Sequence, residues 1–143
     1  MAVSAVPDTG HGASVTFGTT SWSGKLIAIP TNLQRTRPRV DTTHLGTSGT
    51  RTYMPGDLDD LNEITLDVLF EGSVGLPATG TAAETITITF PLPGGGAATA
   101  PNIAGTGFIT STTFPPLQTG TIQQGQITFT FNGGTGPTYT PAA

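Results

Sequence analysis

The sequence predicts an all-β fold, a β-sandwich or barrel of six to eight mostly antiparallel strands with a long inter-strand loop and at most one short helix. Three observations predict it. Short runs alternate apolar and polar residues with period two, ITLDVLF at 64–70, TITITF at 85–90 and ITFTF at 127–131. Glycine (20) and proline (12) are abundant, threonine is frequent and only 10% of residues are charged. That balance favours strands and turns over helices. The chain's 143 residues suffice for one domain with a core of its own. A disordered chain would carry more charge and fewer β-branched and aromatic residues.

In chain order, Val15 and Phe17 alternate with Thr16 and Gly18, which makes 14–20 a first strand. A second follows over 25–29, past a Ser-Trp-Ser-Gly turn whose corner Trp22 anchors. Arg35, Arg37 and Arg39 fall at every second position, so they share one side of an extended segment that Pro38 marks as an edge strand or linker. Ile64, Leu66, Val68 and Phe70 give the clearest half-buried strand, and residues 72–83 break it. Ile86, Ile88 and Phe90 form another, followed by the connection PLPGGGAATAP. Phe108, Thr110, Thr112 and Phe114 line one side of the next, where Gly105 and Gly107 imply a bulge or a close backbone approach. Ile127, Phe129 and Phe131 complete the set, with 120–124 as a possible extension across a bulge at Gly125. A single domain, 1–143, is expected, with an N-terminal arm at 1–13 and a mobile C-terminal tail at 133–143 that has only Tyr139 to pack.

The stretch VDTTHLGTSGTRTYMPGDLDDL, residues 40–61, fits neither period. Gly46, Gly49, Pro55 and Gly56 punctuate it, so it reads as a long loop. Loops of more than about a dozen residues are uncommon in compact domains and are usually functional or disordered.

Charge divides along the chain, beneath a formal net charge of −4. Lys25, Arg35, Arg37, Arg39 and Arg51 are all the cations, with Asp41 alone among them. Asp57, Asp59, Asp60, Glu63, Asp67, Glu71 and Glu84 follow without a cation, and 85–143 carries no charge. Three guanidinium groups in a row call for an acidic neighbour, in the same subunit or another. The segregation suits association with a second copy as well as it suits a foreign partner, and an ordinary mixed-charge surface is the alternative.

Catalytic and ligand sites find little support. Asp41, His44 and a serine could make a hydrolase triad, but no Gly-x-Ser-x-Gly elbow is present and His44 reads as a polar loop residue. Asp57, Asp59, Asp60 and Glu63 do not follow calcium-loop spacing, since Leu61 stands where a ligand is needed. His11 and His44 are too far apart in sequence for a zinc motif. Cysteine is absent, which excludes a disulfide framework and a thiol nucleophile. Gly94-Gly95-Gly96 lacks the Lys-Ser/Thr of a phosphate loop. The arginines have no interleaved aromatics in a chain of pI 4.7, against tight nucleic-acid binding. No cofactor and no membrane insertion are expected. The N-terminus has neither the basic region nor the apolar stretch of a signal peptide.

Asp41-Thr42-Thr43-His44-Leu45-Gly46, followed by Arg51-Thr52-Tyr53-Met54-Pro55-Gly56-Asp57-Leu58, resembles the central loop of the major tail tube proteins of long-tailed, non-contractile bacteriophages. The match continues through 61–66 and 84–91, covering roughly residues 17–91, and beyond that it rests on strand pattern. Tyr53-Met54 stands where the family often has Phe and an aliphatic residue. The resemblance implies a virion subunit, made in the host bacterial cytoplasm, that forms hexameric rings stacked into a tube for DNA ejection. It implies as partners other copies of the chain, a tape measure protein, a tail terminator and a distal tail protein, with DNA in transit and not bound. Relatives usually carry a helix beside the sandwich, and Pro77 with several glycines leaves room here for about one turn. The inter-subunit contacts expected are Arg35, Arg37, Arg39, Asp41, His44, Leu45, Arg51, Tyr53, Met54, Asp57, Leu58, Asp59, Asp60 and Glu63. The alternatives are a terminator or distal-tail ring protein, a carbohydrate- or surface-binding β-sandwich, which would need more exposed aromatics, and, more remotely, an enzyme.

Overall fold

The computed structural model describes residues 10–22, 24–80, 82–93, 98–132 and 136–143. Eleven strands form: β1 Ser14–Phe17, β2 Leu26–Ala28, β3 Arg35–Thr36, β4 Arg39–Asp41, β5 Tyr53–Pro55, β6 Asp60–Leu61, β7 Ile64–Leu69, β8 Glu84–Thr89, β9 Asn102–Thr113, β10 Gln124–Phe131 and β11 Thr138–Thr140. Among the described residues there is no helix. Where one turn was expected, Gly75 N–H donates to Glu71 C=O (2.8 Å) and the chain then leaves at Gly75, whose φ of +70° suits glycine. Two compact units emerge where the sequence suggests one domain: Leu33–Asn62, and Met1–Asn32 with Glu63–Ala143.

The larger unit is built on one seven-stranded antiparallel sheet. Its strand order is β1-β8-β9-β10-β7-β2, with β11 also pairing β9. Period-two alternation decides which side chains meet. Ile64, Leu66 and Val68 of β7, Ile86 and Ile88 of β8, and Ile127, Phe129 and Phe131 of β10 are buried together with Val15 and Ile109. Each such side chain contributes about 1.5–3 kcal/mol through its removal from water. The sheet curls around this face into a half-barrel. Phe17 and Phe129 lie on strands three places apart, roughly 14 Å in a flat sheet, yet their ring centroids are 6.3 Å apart. The predicted sandwich or barrel is thus one sheet folded toward itself.

The opposite face is dominated by hydroxyls. Thr16 pairs with Thr87, Thr85 with Thr106 and Thr65 with Thr128. The Thr65 and Thr128 hydroxyls are 3.3 Å apart, and Gln126 donates to Asp67 at 3.2 Å.

Strand β9 departs from its expected pattern. Phe108 is exposed on the hydroxyl face, while its neighbour Ile109 is buried in the core. The cause is a bulge: Thr128 pairs with Ser111 and Phe129 with Ile109, so Thr110 is an extra residue. Its hydroxyl donates to Thr128 C=O at 3.2 Å. One inserted residue reverses the side on which every later side chain falls, which puts Thr112 opposite Ile127. The bulge lies here and not at Gly125, and β10 begins at Gln124 without the expected extension. Gly107 is a site of close approach, since a Cβ there would collide with Thr130 C=O.

One further expectation meets a different outcome. A tail lacking partners was expected after residue 132, but β11 pairs with the first residues of β9, and Tyr139 packs edge-on against Phe90 at 6.3 Å. Ala143 C=O also accepts from Ala98 and Thr99 N–H, each at 2.9 Å. Residues 133–135, the first nine of the N-terminal arm and the Gly94-Gly95-Gly96 turn lie outside the described residues. Trp22 anchors its corner as expected. It packs edge-to-face on Phe17 at 6.4 Å, and Gly24 leaves room for the indole.

Candidate assembly arm

All but one of the predicted contact residues fall in the Leu33–Asn62 unit; the exception, Glu63, belongs to the sheet unit. The stretch expected to be a loop is a long hairpin. Arg35 pairs with Leu61 and Thr36 with Asp60 in its first ladder; Arg39 with Pro55, Val40 with Met54 and Asp41 with Tyr53 in its second. Pro38 interrupts the outgoing strand because it has no N–H to donate. Its carbonyl instead accepts from Gly56 N–H (2.7 Å), and the Gly56 carbonyl accepts from Arg37 Nε (2.9 Å). A Cβ on Gly56 would lie 2.8 Å from Pro38 Cγ, so the Pro-Gly-Asp-Leu run requires its glycine.

The tip explains the Asp-Thr-Thr-His-Leu-Gly run chemically. Asp41 Oδ1 accepts from Thr43 N–H at 2.9 Å and its Oδ2 pairs with Arg51 at 3.1 Å. Hydrogen bonds from Thr43, with a lesser one from the Arg51 guanidinium, hold the Asp41 carboxyl below its usual range against an opposing desolvation. Thr42 and Thr52 join hydroxyl to hydroxyl at 3.0 Å, and Thr52 N–H donates to Thr43 Oγ1 at 3.0 Å. His44 Nδ1 accepts from Gly46 N–H at 3.0 Å, while Thr47 Oγ1 accepts from His44 N–H at 3.0 Å. His44 is therefore a turn-former. Leu45 beside it is fully exposed.

Alternation gives the second ladder two unlike faces. On one, the Arg39 guanidinium carbon sits 4.1 Å from the Tyr53 ring centroid, beside the Asp41–Arg51 pair. On the other, Val40 and Met54 stand directly opposite each other, 46% and 47% exposed. Sequence reasoning had Met54 but missed Val40; the signal was the Arg-Val-Asp run read against Tyr-Met-Pro. Arg37 and Arg39 have no carboxylate at ion-pair distance, and Asp57, Asp59, Asp60 and Glu63 enter no ion pair among the described residues. The acidic neighbour expected for the arginines is thus not met by an ion pair to Arg37 or Arg39 among the described residues.

Elsewhere one carboxylate is buried. Glu84 is 7% exposed, and its Oε2 accepts from Thr19 N–H (3.2 Å), Thr20 N–H (3.0 Å) and the Thr19 hydroxyl. Burial works to raise its pKa, but these donors outweigh it and the carboxyl lies below its ordinary value. Among the described residues no three His, Cys, Asp or Glu side chains gather as a metal site, and no helix is long and apolar enough to cross a membrane.

A single curled antiparallel sheet with a separate hairpin unit has counterparts among solved structures. The fold is shared with chains of injection-system tube, cap and baseplate structures. One match is a chain of the sheath/tube terminator of an extracellular contractile injection system, PVC, in its extended state; it has TM-score 0.65 and 17% identity and covers 94% of this chain and 97% of that one. A chain of the six-fold symmetrised anti-feeding prophage baseplate has TM-score 0.66 and 9% identity over 96% and 98%. A third, from the tube-terminating cap of the anti-feeding prophage, has TM-score 0.58 and 18% identity over 99% and 95%. These tail-like assemblies are contractile or prophage-derived, so the likeness is not specific to long non-contractile tails. No family model matches, and no curated protein does.

Proposed function

We propose that this chain is a structural subunit of a tail-like injection apparatus, polymerising as stacked hexameric rings into a tail tube through which DNA leaves a phage particle. The observation that carries this reading is the hairpin arm on a tail-tube-like fold. A unit of its own carries exposed Val40, Leu45, Tyr53, Met54 and Leu58, and its Asp57, Asp59 and Asp60 enter no ion pair among the described residues. Side chains so arranged suit burial against another copy. The six-fold symmetry of one structural counterpart supports the ring size. Open strands at a sheet edge are an aggregation liability that closure into a ring removes. The hydroxyl face, with few charges, suits a wall past which a polyanion slides. Tape measure, terminator and distal tail proteins are the partners this role implies.

A terminator or cap ring is the second reading, favoured by two counterparts from terminating structures. Negative-stain electron microscopy of the concentrated protein separates the two. Hollow tubes of indefinite length support the tube subunit, single rings support the terminator, and dispersed monomers under all conditions refute both.

A further inference from the structure

We propose that the Val40–Met54 face of the arm in one copy covers the Phe114–Gln123 connection of the next. This rests on the ring-forming reading and names the surfaces that meet. The connection joins β9 to β10 and exposes Phe114 (64%), Leu117 (81%) and Ile122 (72%). It lies in a stretch, 85–143, without a single charge. The arm face is matched to it: Val40 and Met54 are apolar, and the next pair on that face, Thr42 and Thr52, satisfies its hydroxyls mutually. The opposite arm face spends its charges internally, in the Asp41–Arg51 pair and the Arg39–Tyr53 stack. An uncharged apolar connection would strand those ions without water, whereas the Val40–Met54 face brings none. Each surface is exposed on its own unit. Two different, mutually suited patches on one chain make a head-to-tail contact, which closes into a ring or runs on as a filament.

The absence of cysteine makes the test clean. In the full chain carrying Met54→Cys and Leu117→Cys, assembled material is treated with a flexible bis-maleimide, which does not demand the close approach of a disulfide. The expected result is a shift of the monomer band to dimer and higher multiples, absent from either single variant. Polymer that forms but yields no such ladder overturns the pairing while leaving the tube reading intact. A ladder from Met54→Cys alone also overturns it, since arm would then meet arm. Parent protein that stays monomeric at every concentration sinks the ring reading and this pairing with it.

Discussion

Glu84 shows how a buried carboxylate is kept ionised: the N–H groups of Thr19 and Thr20 replace the water it lost. Its folded pKa lies below 4.5, the unperturbed value. The stability it contributes is therefore fully present above that value and is lost as pH falls through the lower, folded one. Glu84→Gln is expected to cost about 1–3 kcal/mol at neutral pH and to flatten the acid side of the stability profile, as read by urea denaturation from pH 3 to 7. An unchanged acid limb would remove Glu84 from this role. Gly107 makes an opposite point, because there the absence of a side chain matters. Gly107→Ala drives a Cβ into Thr130 C=O and should cost about 1–3 kcal/mol through forced backbone displacement. Gly49→Ala, in open space but at φ +84°, should cost less in the melt.

Elements differ in how openly the sequence announces them. Strands β7, β8 and β10 were legible because a sheet buried on one face imprints a strict period on its residues. Of the arm strands only the stretch 35–39 read as extended, for all but one of their residues are exposed and no buried face enforces alternation. Their pairing is held instead by the tip hydrogen bonds, which leave no apolar signature. β9 misled because Thr110 shifts the period midway, and a bulge is invisible until the partner strand is known. β11 was missed since Thr-Tyr-Thr buries nothing. The expected contact residues were chosen from charge pattern and a resemblance of motif, whereas the division of the arm into a charged and an apolar face required the register. Because the arm is its own unit, replacing residues 34–61 by a short Gly/Ser linker should leave the sheet's thermal transition largely in place and abolish polymer. Circular dichroism and electron microscopy of the same sample check both halves.

For the whole molecule the question is how copies meet. Arg37 and Arg39 lie across one hairpin from the Asp57–Asp60 segment, so charges segregated in sequence become neighbours in space without forming ion pairs. If they pair between copies, Arg37→Glu with Arg39→Glu leaves a folded monomer that does not polymerise. Asp57→Arg with Asp59→Arg fails likewise, and a mixture of the two variants recovers assembly. Normal tubes from either variant alone would refute the pairing. Assembled tubes should also show no salt-sensitive DNA binding, measured by cosedimentation. Strand order carries one more consequence, for the timing of synthesis. β10 joins β9 to β7, yet it leaves the ribosome after both. Until residue 131 emerges, the sheet exists only as two fragments, β1-β8-β9 and β7-β2, each with a bare apolar face. The nascent sheet thus closes only once β10 has been made, and a chain stopped before Gln124 should be recovered in inclusion bodies.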